Sequence, residues 1–333
     1  MSQNEASGAV AGVLRAAAII LAALLIYLLI CSSTGIFYNR FMSSAKKIAR
    51  IPGLSEGFIP QGICYCEALD AYLCCGYLDD GPSRLYVIPA DGGEVRGLLL
   101  RRENGEDYIG HAGGVSSSGE HIWISNQKKA FHLTAASVAE AADGSYVAFD
   151  GYFGVSVNAS FTFADEEYFW IGEYHLGEKY KTRDENHRIT PDGSEHGAMI
   201  YGYKRDDTTV YGVDPERPSI ALSVRDIVQG FCVTDDGRYL LSTSAAMDNS
   251  HLYIYDCRQV TPTDHVTYGG REIPLYYLDS TTMTDSITLP RMSEDLDYHD
   301  GRVLVAFESG AGKYGGWMIP FAIKHIMGFE IGE

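Results

Sequence analysis

The sequence predicts an all-β fold: a β-propeller of five counted blades, with room for a sixth, preceded by one N-terminal transmembrane helix. Three observations carry this expectation. An uncharged apolar stretch lies near the N-terminus, a strand-turn-strand pattern recurs along the rest of the chain, and no amphipathic helix of ordinary length recurs between the strands. The expected organisation is a short N-terminal tail over 1–15, a transmembrane helix over 16–37, a linker over 38–45 and a propeller over 46–333.

From Ala16 to Phe37 the chain reads AAAIILAALLIYLLICSSTGIF, without a charge. About 20 such residues in a helix cross a bilayer core. The part from Ala16 to Cys31 has no polar stripe, which a buried soluble helix would show. A cleaved signal peptide is the rival, but no small-x-small cleavage site directly follows the apolar run. Arg15 precedes the segment, and Arg40, Lys46, Lys47 and Arg50 follow it. Read literally, those charges put the domain in the cytoplasm. Some of them belong to the strand-like KKIARIP, however, so a single-pass protein with an extracytoplasmic propeller is expected.

Composition limits what the domain does. The 36 glycines and 23 tyrosines suit many short strands joined by tight turns. A net charge of −18 repels phosphate backbones, so nucleic acid is not an expected partner. The seven cysteines contain no CxxC pair, which removes a zinc ribbon or thioredoxin motif. Cys64 and Cys66 lie across a hairpin turn from Cys74 and Cys75; free buried thiols are expected, with one local disulfide as the alternative.

The repeat fixes the architecture. PQGICYCEALDAYLCCGYLDDGPSRLYVI (Pro60 to Ile88) aligns with VQGFCVTDDGRYLLSTSAAMDNSHLYIYD (Val228 to Asp256) with one gap. Weaker copies begin at His111, Asn158 and Ser293. Their turns carry Gly, Asp or Ser, as hairpins require. First strands start near 61, 113, 159, 229 and 294, a period of 46 to 70 residues, which is the size of a four-stranded blade. The long spacing between Asn158 and Gln229 leaves room for a sixth blade. KKIARIP is expected to add the outer strand of the last blade and so close the ring.

First strands line a propeller's channel and second strands run antiparallel beside them. The start of one and the end of the other therefore share a face. That logic gathers Gln61, His111, Asn158, Gln229 and Glu294 with Tyr77, Asn126, Glu173, Ser244 and Glu308 around one mouth. Gln61, Tyr77, Asn126, Gln229 and Ser244 are the expected ligand contacts. Glu173 and Glu308 each end an apolar strand, and with His111 they are the candidates for acid and base roles; equally, each carboxylate could accept a backbone N–H and hold a loop. Oxygen donors converging there suit Ca²⁺. The long loop after Glu173 carries His175, His187 and His196 at no familiar zinc spacing. Asn158-Ala159-Ser160 fits a glycosylation sequon, at a place that disfavours a glycan. No GxGxxG, Walker, HExxH or GxSxG motif is present.

At Glu56-Gly57-Phe58, Gln61-Gly62-Ile63 and the repeated blade pattern, the chain resembles the gluconolactonase-like (SMP-30) six-bladed calcium propellers. It is also similar to bacterial membrane-anchored propellers with blade ends such as Gly172-Glu173-Tyr174 and Phe307-Glu308-Ser309-Gly310. The first resemblance implies a channel metal, to which Glu56, Asn158 and Glu294 correspond, and hydrolysis of a lactone or ester by metal-activated water. The expected function is a membrane-tethered propeller that binds a small molecule and hydrolyses it with Ca²⁺; the alternative is a non-catalytic module that docks a protein partner.

Overall fold

The computed structural model describes residues 3–245, 248–314 and 321–332. Its propeller has five blades. Blade 1 is Ile59–Cys66, Ala71–Tyr77, Arg84–Pro89 and Arg96–Arg101. Blade 4 is Val228–Val233, Arg238–Thr243, Ser250–Asp256 and Met283–Leu289. Blade 5 is Ser293–His299, Arg302–Phe307, His325–Phe329 and, outermost, Lys46–Arg50. Lys46 pairs with Gly328 and Arg50 with His325, so the N-terminal strand closes the ring as the sequence predicts.

Blades 2 and 3 share one continuous sheet. Blade 2 starts at Gly114–Ser118 and continues into His121–Thr134, which doubles back on itself. Eleven extended residues would span over about 30 Å. His121 Nδ1 and His132 Nε2 nevertheless lie 2.8 Å apart, because the chain reverses at Gln127, whose φ is +54°. The long strand Gly151–Ala164 then serves two blades. Its first residues pair with Lys129–His132 as the edge of blade 2, and Ala159–Ala164 pair with Tyr168–Glu173 as the inner strand of blade 3. Ala198–Arg205 and Val213–Val224 complete blade 3.

The spacing that left room for a sixth blade is filled by blade 3 and the loop between Glu173 and Ala198. Inner strands pack in the order of the blades, and that of blade 5 returns against blade 1. Two insertions broaden odd blades: Tyr146–Ala148 lies parallel to Arg96–Arg101, and Arg271–Tyr277 lies parallel to Val213–Val224. The buried apolar residues sit between neighbouring blades, with Phe163, Trp170 and Phe231, for example, joining blades 3 and 4. All six described propeller cysteines are free, so the local disulfide is not formed.

Two N-terminal boundaries differ from expectation. Helix α1 runs Gln3–Phe37, so the tail over 3–15 is helical too; alanine-rich sequence propagates a helix well beyond the apolar core. Its window Ala11–Leu28 has mean hydropathy 2.3 and none of it is buried, long and apolar enough to cross a membrane. The expected linker is instead docked structure. Tyr38 is buried, and a short helix α2 (Asn39–Ser44) inserts Phe41 between Phe307 and Phe329, with ring centroids 6.0 and 5.0 Å away.

Candidate functional site

One face of the ring holds a cavity of about 530 Å³ at the channel mouth. Of the residues expected there, Gln61, Tyr77, His111, Asn126, Asn158, Gln229, Ser244, Glu294 and Glu308 line it. They come from first-strand starts, second-strand ends and the loops beside them.

Its chemical centre is a pair of carboxylates from blade 5. Glu294 begins the inner strand and Glu308 follows the second strand. Each is held by a glutamine from a different flanking blade. Gln229 Nε2 of blade 4 donates to Glu294 Oε2 at 2.8 Å, and Gln61 Nε2 of blade 1 donates to Glu308 Oε1 at 3.0 Å. The two Gln-Gly copies of the repeat thus grip blade 5 from both sides. The Tyr314 hydroxyl also hydrogen-bonds Glu308. Burial raises the pKa of Glu294 well above the carboxylate range, and the Glu308 charge raises it further. Burial also raises Glu308, against Tyr314, Gln61 and Lys313. Two like charges in a poorly solvated cavity favour a proton held between them.

The walls are aromatic and the rim is basic. Tyr174, Tyr180, Tyr314, Lys179 and Lys313 join the cavity, none of them among the expected residues. Tyr174 ends the repeat copy that begins at Asn158, and the other four come from loops outside the repeat. Lys179 and Lys313 are exposed, while Glu294 is only 2% exposed, so positive charge sits outside and carboxylates inside. Lys313 pairs with Asp79 at 2.9 Å. His111 keeps an exposed edge, with its ring 4.8 Å from that of Tyr77. Desolvation by the surrounding walls, then Lys313, lowers its pKa, so it is neutral at pH 7.

Glu173 does not line the cavity. It is 1% exposed and accepts the Asn158 N–H at 3.1 Å and Asn186 Nδ2–H at 2.6 Å, tying the long loop to the inner strand. The loop-holding alternative describes its contacts, and an acid or base role lacks access. Burial pushes its pKa up to about 7. A carboxyl raised in the fold stabilises fully below its unfolded pKa and loses that contribution as pH rises through the folded one. Between pH 4.5 and 8 this site should therefore cost about 3 kcal/mol. The melting temperature of the native chain should fall across that range more steeply than that of Glu173→Gln; parallel curves would show that Glu173 does not titrate there.

The metal set implied by the gluconolactonase resemblance does not assemble. Glu56 lies between Gly53 and Gly57, whose φ values of +68° and +89° turn the segment outward. Its side chain is 63% exposed and pairs with Arg84 at 3.4 Å. It is absent from the cavity that Asn158 and Glu294 line. Among the described residues no three His, Cys, Asp or Glu side chains are arranged to hold an ion. The three loop histidines do not share one point either, although two of them meet. His175 Nδ1 and His187 Nε2 each lie 2.9 Å from the Thr182 hydroxyl, whereas His196 Nδ1 lies 3.2 Å from the Ser223 hydroxyl.

A second cavity of about 530 Å³ opens at the opposite mouth, lined by Tyr65, Asp165, Arg205, Asp297 and His299 among others. His299 stacks on Tyr65 with centroids 3.6 Å apart.

No protein-family model matches the chain, and a search of curated proteins finds no match. Among solved structures, the PQQ-bound aldose sugar dehydrogenase of Streptomyces coelicolor is 11% identical with a TM-score of 0.45, covering 86% of this chain and 98% of its own. The glutaminyl cyclase of Myxococcus xanthus is 11% identical with a TM-score of 0.41, covering 79% and 90%. BamB of Moraxella catarrhalis is 11% identical with a TM-score of 0.32, covering 75% and 82%. At these values no residue role or activity is transferred to this chain.

Proposed function

We propose that the chain is a single-pass membrane protein whose propeller binds a small zwitterion by its amine end, with Glu294 and Glu308 as the counter-charges. The observation that carries this is the carboxylate pair, Glu294 buried and Glu308 half-buried, each steadied by a glutamine and facing the tyrosines of one cavity. An ammonium group can take the place of the proton held between them, leaving the pair with the same single net negative charge, and tyrosine faces attract cations. The exposed Lys179 and Lys313 suit the anionic end of the same ligand.

Thermal unfolding of the detergent-solubilised full chain tests this, with ethanolamine as the probe. A ligand that binds only the folded state raises the melting temperature as it is added. The rise should be larger at pH 8 than at pH 6, because the pair must lose its proton, and the double variant Glu294→Gln, Glu308→Gln should not respond. A rise with Ca²⁺ and none with the amine would restore the metal reading. That reading retains some chemical support, since Gln229 Oε1 is a buried oxygen without a hydrogen-bond donor. Hydrolysis is a second reading, supported by two cavity carboxyls whose pKa values burial raises, where one could serve as acid and the other as base. Failure to turn over a panel of lactones and esters would remove it.

A further inference from the structure

The residue that leaves the membrane helix is docked on the cavity face of the ring. Tyr38 directly follows α1 and is 3% exposed. Its hydroxyl donates to Asn249 Oδ1 at 2.7 Å, its ring lies 5.8 Å from Phe321, and it feels the charge of Arg291. Asn249 immediately precedes the strand Ser250–Asp256, and Arg291 is next to Met292, which lines the cavity.

From Tyr38 the chain runs away from the mouth. Ser44, at the end of α2, hydrogen-bonds Glu330 at 3.0 Å, and Lys46 starts the outer strand opposite Gly328, at the far end of blade 5. The helix therefore joins the propeller on its cavity face, with no slack between them. Strands of about six residues put the opposite face roughly 20 Å further away.

The two faces differ in character. Loops on the cavity face expose Ile109 (69%), Leu176 (38%), Tyr180 (46%) and Ile189 (68%). The turns of the far face carry Asp70, Glu120, Glu166, Asp207, Asp235 and Asp300. Exposed acids lie beside the mouth as well, at Asp79, Glu106, Glu178 and Asp184, and the far face exposes Val210, so it is the cluster of apolar loop tips around the mouth that suits this face to a bilayer.

We infer that the mouth faces the bilayer and takes its ligand from it: an amphiphile whose zwitterionic headgroup ends in an amine. This rests on the amine reading of the cavity. The ammonium tip enters toward Glu294 and Glu308, and the phosphate stays at the rim beside Lys179, while the acyl chains remain in the leaflet.

The test uses the full chain in lipid nanodiscs. In a Cys31→Ser, Cys257→Ser background, a fluorophore is placed at Ile109→Cys or at Val210→Cys, the latter exposed on the far face. Headgroup-nitroxide lipid should quench the first label and leave the second bright; equal quenching, or stronger quenching at 210, overturns the orientation. The unlabelled protein is then melted in phosphatidylglycerol discs with and without phosphatidylethanolamine. The lipid amine should raise the melting temperature well beyond what free ethanolamine does, and Glu294→Gln with Glu308→Gln should abolish the rise. An equal response to free ethanolamine overturns the membrane source but leaves the cavity reading standing. No response to either amine overturns both.

Discussion

Replacing Asp295 with alanine is expected to destabilise the propeller by about 1–3 kcal/mol, a sizeable part of the total for an ordinary domain. Asp295 is fully buried in the inner strand of blade 5. Its Oδ2 accepts the Val115 N–H of blade 2 at 3.1 Å. The N–H groups of Ile63 in blade 1 and of Leu296 lie near enough to favour its charged form, while Oδ1 is buried without a hydrogen-bond partner. Blades 5 and 2 are not neighbours in the ring, so one side chain spans the channel and ties two blades at the axis. Burial raises its pKa well above the carboxylate range, and Asp297 adds to this. Alanine would leave buried backbone donors without an acceptor, and such donors carry their full desolvation cost. The Asp295→Asn variant keeps one acceptor oxygen and should lose less. Urea unfolding of the full chain in detergent measures both; an unchanged midpoint for Asp295→Ala would show that the sheet ladders alone hold the channel.

How much of this was legible follows from where each residue sits relative to the repeat. Hairpin turns and apolar second strands are local patterns, so Tyr72–Tyr77 and Tyr239–Ser244 could be placed from sequence, and the structure forms strands at Ala71–Tyr77 and Arg238–Thr243. Mouth residues followed from the same register, which is why Gln61, Gln229, Glu294 and Glu308 meet in one cavity. What the repeat does not encode was missed. Tyr180, Lys179, Lys313 and Tyr314 lie on loops whose course depends on tertiary contacts such as Asn186 to Glu173. Glu56 was misplaced because a residue type beside a motif says nothing about direction, and two left-handed glycines point it to solvent. The docked Tyr38 and Phe41 had a faint signal: two aromatics three residues apart, on one helical face, in what otherwise read as a linker. The blade count was settled by closure, a property of the whole ring that no single repeat records.

Closure also explains the glycine in the Gln-Gly repeat, and it predicts that Gly62→Ala and Gly230→Ala will each cost about 1–3 kcal/mol through overpacking. A five-bladed ring has a narrow axis, so its inner strands approach backbone to backbone. A Cβ on Gly62 would lie 2.5 Å from the Val115 nitrogen and 2.7 Å from the Gly114 carbonyl carbon. One on Gly230 would lie 2.8 Å from the Leu296 nitrogen and 3.0 Å from the Asp295 carbonyl carbon. These are backbone atoms, which cannot swing aside as the end of a side chain can, so whole strands must move. Neither glycine has a positive φ, so the requirement comes from space and not from conformation. Gly154 is the control, since it also lacks a positive φ and has nothing within 4 Å of its Cβ position; Gly154→Ala should be close to neutral. Because Gly62 and Gly230 directly follow the glutamines that hold Glu308 and Glu294, the two axis variants should also weaken ethanolamine binding, whereas Gly154→Ala should not. If Gly62→Ala melts like the native chain, the inner strands have more room than these contacts allow, and the narrow axis cannot be what selects glycine there.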